Sequence, residues 1–527
     1  MKKNKFYVTT PIYYVNASPH IGHAYTQIAV DVLSRYYKTR SRDVFFLTGT
    51  DEHGEKIEEA SIKAGFKKGN EKEFVDGIVP NFKKVWEMLD IKYDHFVRTT
   101  DISHKKEVES FLNKMKDNGD IYQGEYDGWF CTPCETFWTR AQAPEGICPE
   151  CARPLKHIKE KNYFFRMRKY QEWLISYIEN NVNFIMPPYR RNEVLGFLKE
   201  ELTDLCISRP KERMSWGVEL PFDKDYVVYV WFDALVNYVS ALRARKKFDK
   251  FWPADIHIIA KDILRHHAVY WPIMLKSLDM ELPDCIFAHG WWKMGKEKMS
   301  KSKGNIADPV EFCKKYGTDA LRYFLLKTVT FGLDGNFSEK AFVRTYNNDL
   351  ANDLGNLLNR TLTMVEKYFD GAAPFALNTG SLVKEQAARS GRITKAVSEL
   401  FPKVNECMQS PKLLLREALE TIMDLVGAAN KYIEESAPWK YSKENNIEAI
   451  KFIMADLLEV LRSVSIAIFP FMPGTSRKIW GQLGLKGEVK TQEMFELTTK
   501  ERRRSFPSGT KIAKAEPLFP RIVNSEV

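Results

Sequence analysis

Short unbroken apolar runs alternate with longer stretches in which apolar residues recur every third or fourth position through the first half of the chain. Phe6 to Thr10, rich in β-branched and aromatic residues, predicts a buried strand. A turn punctuated by Pro11 and Pro19 follows, carrying Tyr13, Tyr14 and Asn16, and a helical pattern then runs from His20 to about Arg40. Val44–Leu47 predicts a second buried strand and Glu55–Gly65 a second helix. Strand, polar loop and helix, given twice, imply a parallel sheet. Ligands of such sheets collect at the carboxyl ends of the strands. From about Asp117 the periodicity breaks into short, proline-rich pieces that read as an insertion. The parallel-sheet pattern returns with expected strands at Tyr226–Trp231, His257–Ala260 and Cys285–Ala288. Helices carrying Tyr238, and then His266, His267 and Trp271, are expected between them.

From Glu339 to roughly residue 485 the pattern is helical. One segment is expected to start at Ser410-Pro411, a capping serine followed by proline at the first helical position. Leu415, Leu419, Ile422, Val426, Ala429 and Ile433 then mark one apolar face. Comparable segments at 341–368, 383–407, 446–468 and 472–483 predict an antiparallel bundle of about five helices. The basic run Glu501–Arg504 reads as a tail, whereas Ala515–Val523 is apolar enough to dock.

Composition narrows the class. The 527 residues have room for three or four domains, and 28% charged with 44% hydrophobic residues excludes a disordered chain. No apolar run approaches a membrane span, and MKKNKFYV is too short and polar for a signal peptide, so a cytoplasmic location is expected. The formal charge of +10 suits a polyanionic partner, although the basic residues are spread along the chain. Of the eight cysteines, Cys206, Cys285, Cys313 and Cys407 are isolated and read as ordinary reduced thiols.

The chemistry concentrates in four places. His20-Ile21-Gly22-His23 opens a helix after a strand, where unpaired N–H groups and the helix dipole favour phosphate. Gly22 allows close approach and the two histidines add donors; the alternative is a helix start with solvated histidines. Asp51, at the second strand's end, faces the same crevice or caps the helix near Glu55. Cys131, Cys134, Cys148 and Cys151 form two Cys-x-x-Cys turns, stiffened by Pro133 and Pro149, that suit one tetrahedral zinc in a structural site; a disulfide pair is the other possibility. Lys293–Asn305 is a lysine-rich loop containing KMSKS that can wrap phosphates, or a solvated surface run.

Taken together, PIYYVNASPHIGHAYT, TGTDEHGEKI, YVWFDALVNY, AKDILRHHAVYWP and GWWKMGKEKMSKSKGN resemble the class I aminoacyl-tRNA synthetases, and within them the methionyl-tRNA synthetase family over nearly the full length. APWK in the bundle and PLFPRI at the end agree. The resemblance implies an α/β fold: a Rossmann-like parallel-sheet catalytic domain split by a zinc-knuckle insertion, followed by an all-α anticodon-binding bundle. It divides the chain into 1–116 and 226–290 (catalytic), 117–225 (insertion), 291–338 (KMSKS loop and stem contact), 339–500 (anticodon binding) and 501–527 (tail). It implies ATP binding by His20, Gly22, His23, Asp262, Lys298 and Lys301, with His20, His23, Lys298 and Lys301 catalytic. Ile12, Tyr14, Asp51, Trp231, Leu235, Tyr238, Ile263 and His267 match methionine-binding positions, Asp51 taking the ammonium. Asn356, Arg360 and Trp439 match residues that read the CAU anticodon.

One departure stands out: many relatives have glycine at Ala260, and the extra methyl is expected to crowd ATP slightly. The implied cofactors are Zn²⁺ and Mg²⁺ with ATP. The implied partners are L-methionine, ATP, and initiator and elongator tRNA(Met), with no membrane. A monomer is expected, since the chain ends without a further dimerisation domain. An insertion of this size is also expected to lack a separate editing domain, leaving rejection of homocysteine to the synthetic site. The competing readings are a non-catalytic RNA-binding module and a class I synthetase for leucine, valine or cysteine.

Overall fold

The computed structural model describes residues 4–16, 18–132, 136–138, 143–149, 151–294, 297–298, 307–374, 384–489 and 506–523. The chain forms two compact units, one of Met1–His20, Asp43–Glu87 and Ile91–His289, the other of Ile21–Arg42, Met88–Asp90 and Gly290–Val527.

The first unit is built on a six-stranded parallel sheet in the order His95–Arg98, Asp43–Asp51, Lys5–Tyr14, Ile256–Ala260, Ile286–His289, Ile185–Met186. Its central strands are buried on both faces, which is why they read as continuous apolar runs. The first strand outruns its sequence signal. Pro11 has no N–H for the ladder, and the register with the second strand shifts between Thr9 and Ile12, but pairing resumes through Tyr14 opposite Asp51. Strand order reverses between Lys5–Tyr14 and Ile256–Ala260, the point where a doubly wound sheet opens its crevice. Gly49 of the second strand is required by packing: a Cβ there would lie 2.0 Å from the Val97 carbonyl oxygen.

The expected strand at Tyr226–Trp231 is displaced. The strand is Asp223–Val228, and it pairs antiparallel with Ser208–Pro210 and Glu219–Leu220, outside the parallel sheet. From Val230 the chain is helical: the Tyr229 carbonyl accepts from the N–H groups of Phe232 (3.0 Å) and Asp233 (3.1 Å). An acidic residue in the first turn favours this start, and tertiary partners of Asp233 override the β-propensity of Val230 and Trp231. A long antiparallel hairpin, Ile121–Cys131 with Lys156–Phe165, carries the cysteine region.

The second unit is mostly helical. Its longest helices, Lys384–Met408, Leu415–Ser436 and Ile447–Ile468, pack on one another, and all six apolar positions expected on the middle one are buried. That helix starts at Leu415 rather than at Pro411. Residues 409–414 reverse the chain between two long helices, with Leu413 at a positive φ of 49° and its side chain buried. The closing segment docks as expected: Leu518 and Phe519 are buried, and the Ile522 N–H donates to Asn347 Oδ1 (2.9 Å). Residues 501–505 lie outside the described residues. Helix Ile21–Lys38 belongs to this unit, held by a buried ion pair of Asp31 with Arg322 (2.7 Å) and Arg35 (2.7 Å). Among the described residues no helix is long and apolar enough to cross a membrane.

Candidate active site

The carboxyl ends of the first unit's strands bring most of the expected pocket residues into one chain of contacts. Asp51 is 2% exposed and sits in register with Tyr14. It is not a helix cap, because the N-cap of helix Glu55–Lys63 is Gly54. The Tyr14 ring meets the Trp231 ring edge-on at 6.2 Å, and the Lys56 ammonium lies 4.8 Å from the Tyr14 ring centre. Because Val230–Leu235 is helical, Trp231 and Leu235 fall four residues apart on one helix face. Ile12, Trp231 and Ile263 pack, half-buried, against the core that contains Leu235 and Tyr238.

Beneath them the polar groups have a defined proton order. His267 Nδ1–H donates to the Ile263 carbonyl (2.9 Å), so Nε2 accepts from the Tyr238 hydroxyl (2.7 Å). Burial pushes His267 down to about 4 and Tyr238 well above the ordinary tyrosine range, so both are neutral at pH 7. The Tyr7 hydroxyl donates to the Tyr238 carbonyl (2.7 Å), and His257, bonded to Thr9 (2.8 Å), packs against the Tyr238 ring at 4.1 Å. The result is a mostly aromatic, hydrogen-bonded cluster, with the buried Asp51 on the strand beside Tyr14.

Several residues here escape a reading by motif. His266 stacks on Trp231 at 3.8 Å and forms part of the same aromatic wall. Asp233 accepts from His53 (2.6 Å) and from His104 (2.7 Å), all three essentially buried. Burial alone would raise the Asp233 carboxyl, but the charges and hydrogen bonds of the two histidines outweigh it and hold it below its usual value. Glu52 accepts from Arg98 (2.6 and 2.8 Å), Thr50 (2.6 Å) and Thr100 (2.6 Å). Glu52 and His53 directly follow Asp51 within TGTDEHG, so the motif itself was the available signal.

Of the residues expected to bind ATP, His20 ends the first unit's opening segment and Asp262 is exposed just beyond Ile256–Ala260. Gly22 and His23 lie in the first turn of helix Ile21–Lys38. Ala260 has φ −80° and ψ 151°, an extended conformation open to any residue. Lys298 lies in a short strand paired with Trp292–Met294, and Lys301 lies outside the described residues. In the second unit, Asn356 and Arg360 stand four apart on helix Asn356–Phe369. Arg360 pairs with Glu434 (2.7 Å) in the last turn of the helix leading to Trp439, which is 38% exposed.

Cys131, Cys148 and Cys151 bring their sulfurs within 4.8 Å of one another, with Cys131 and Cys151 at 3.5 Å; Cys134 lies outside the described residues. The Cys148 N–H donates to the Arg153 carbonyl (2.8 Å) and the Ala152 N–H to the Cys148 carbonyl (2.9 Å), which folds the second turn tightly. With zinc–sulfur bonds of about 2.3 Å, tetrahedral thiolates stand roughly 3.8 Å apart, so this donor set fits the metal.

A parallel sheet with its crevice at this switch point, a histidine-bearing loop after the first strand and a helical C-terminal unit are the architecture of a class I aminoacyl-tRNA synthetase. A family model described as tRNA synthetases class I (M) matches residues 6–157 and 153–362, and one for the anticodon-binding domain of tRNA ligases matches 392–521. The chain is 45% identical over 525 residues to a methionine–tRNA ligase of Caldanaerobacter subterraneus subsp. tengcongensis, covering 99% of this chain and 79% of that one. It is 42% identical over 525 residues to the methionine–tRNA ligase of Thermotoga maritima, covering 98% and 80%. Methionyl-tRNA synthetase of Mycobacterium tuberculosis in complex with methionyl-adenylate superposes with a TM-score of 0.90 at 38% identity, over 98% of this chain and 100% of that one. This chain belongs to the methionyl-tRNA synthetase family.

Proposed function

We propose that the chain activates L-methionine with ATP to methionyl-adenylate and pyrophosphate, then transfers methionine to the terminal ribose of tRNA(Met), both initiator and elongator. The observation that carries this reading is the aromatic cluster in which Tyr14 meets Trp231 and Tyr238 meets His267, with buried Asp51 paired opposite Tyr14. An unbranched thioether gains from aromatic contact, and a buried carboxylate suits an ammonium. Ile12, Leu235 and Ile263 complete the apolar wall.

The methionine carboxylate is ionised at neutral pH and needs no general base to attack the α-phosphate. Rate enhancement then rests on positioning and on donors facing the developing charge. We assign that role to His20, His23, Lys298 and Lys301, with Gly22 and Asp262 also holding ATP. Mg²⁺, when bound with ATP, supplies counter-charge to the phosphates. Zn²⁺ on Cys131, Cys134, Cys148 and Cys151 would be structural, since protein thiolates fill all four positions. Asn356, Arg360 and Trp439 are assigned to the anticodon, and the protein is proposed to act as a cytoplasmic monomer. In this reading residues 1–116 and 226–290 catalyse, 117–225 form the insertion, 291–338 the KMSKS and stem-contact region, 339–500 the anticodon-binding domain and 501–527 the tail.

The test is ATP–pyrophosphate exchange across a panel of amino acids. Exchange that depends on methionine, and fails with leucine, valine and cysteine, supports the reading. Exchange driven best by another amino acid, or none at all, overturns it.

A further inference from the structure

The second parallel strand pairs as far as Asp51, opposite Tyr14, and just beyond it the Glu52 N–H donates to Thr99 Oγ1 (2.9 Å). A separate segment, 213–216, fixes the rest of the turn. The Trp216 indole N–H donates to the Glu52 carbonyl, and the Gly54 N–H donates back to the Trp216 carbonyl (3.1 Å). Gly54, at φ 105°, adopts a backbone conformation that other residues rarely take. Arg213 donates to the Glu55 carboxylate (3.0 Å), and the Ser215 N–H to the Glu58 carboxylate (3.1 Å). The Trp216 ring also stands edge-on to His53 at 5.4 Å.

The loop is thus held on three sides. Trp216 takes the Glu52 carbonyl and the Gly54 N–H, Thr99 takes the Glu52 N–H, Asp233 takes the His53 ring, and Arg98 with two threonines takes the Glu52 carboxylate. No other element among the described residues makes reciprocal main-chain bonds to 52–54.

We infer that Trp216 is a positioning residue for the substrate ammonium: its indole N–H and carbonyl hold the 52–54 turn, and so the direction of the Asp51 carboxylate. The inference rests on the reading that Asp51 receives the ammonium. A tryptophan that merely fills space would support every ligand of the pocket alike. One that aims Asp51 matters only to ligands carrying the ammonium.

Trp216→Phe keeps an aromatic ring and removes the N–H, a loss that neutral hydrogen bonds place at up to about tenfold in affinity. KM for methionine in pyrophosphate exchange should rise by about that factor, with KM for ATP unchanged. The inhibition constant of methioninol, which keeps the ammonium, should rise in parallel. That of 4-(methylthio)butanoate, which lacks it, should not move. Equal weakening of both inhibitors, or an unchanged KM for methionine, overturns the inference. Arg213→Gln, which removes the Glu55 anchor along with the Arg213–Glu160 ion pair (3.0 Å) but leaves both Trp216 bonds, should show the same ligand pattern at smaller size and serves if Trp216→Phe does not fold. Asp51→Asn separates the two levels: if it leaves KM for methionine unchanged, the assignment of Asp51 fails whatever Trp216 does.

Discussion

Arg322→Met should destabilise the second unit by about 4 kcal/mol. Arg322 and Asp31 are both fully buried, and their ion pair is 2.7 Å long. The guanidinium also donates to the carbonyls of Phe471 (2.7 Å), Leu89 (3.0 Å) and Pro470 (2.9 Å). Methionine matches much of the side-chain volume, so the cavity term is small and the polar losses decide the outcome. Removing one partner of a buried pair costs about 3–5 kcal/mol. Asp31 keeps Arg35, which places this loss near the lower bound, and three carbonyls that lose a donor add about 1 kcal/mol or slightly more together after relaxation. At about 2–4 °C per kcal/mol for a unit of this size, the midpoint of its thermal transition should fall by roughly 10 °C. Urea unfolding followed by circular dichroism measures the loss, and KM for methionine below the transition should not change, since the proposed pocket residues belong to the first unit. The double variant Asp31→Leu with Arg322→Met removes the stranded carboxylate and should lose less than the sum of the two single losses. A single variant within 1 kcal/mol of the parent, or a strictly additive double, would refute this account.

His267 gives a pH prediction with a definite sign. Its folded value of about 4 lies below the ordinary 6.5, so below pH 6.5 the unfolded chain binds a proton the folded chain does not. Stability should therefore fall as pH drops from 6.5 towards 4, by about 2 kcal/mol from this residue at pH 5, with buried His257 and His266 acting in the same direction. Urea midpoints at pH 7 and pH 5 check this, and His267→Gln should flatten the slope. Atomic emission after dialysis should read about one zinc per chain, and Cys148→Ser should abolish it; full retention would remove Cys148 from the ligand set. Trp439→Ala should spare methionine-dependent exchange and raise KM for tRNA by about 5- to 160-fold, the scale of about 1–3 kcal/mol for a stacked base. A matching fall in exchange would refute its assignment to the anticodon.

What sequence could and could not foretell divides along the range of the interactions. The strand cores Phe6–Thr10, Val44–Leu47 and His257–Ala260 are largely apolar runs because both of their faces are buried, and the bundle helix Leu415–Ser436 carries a periodic face because only one is. Both signals are local and both were legible. The start of the helix at Val230 was not, because YVVYVW is strand-like in itself. What turns it is Asp233, whose carboxylate is claimed by His53 and His104, more than a hundred residues earlier in the chain. The same long-range bonds explain the site. Motif spacing picks out Asp51 as a carboxylate at a strand end, yet it cannot say that Glu52, His53 and Trp216 hold that carboxylate in place. Arg322 is more opaque still: no motif includes it, and only the fold shows it buried against Asp31. Motifs mark the groups that meet substrate; the groups that aim them are set by tertiary pairing and become legible only in three dimensions. Mutational tests confined to His20, His23 and the KMSKS lysines would therefore miss the ammonium recognition that Trp216 is inferred to position.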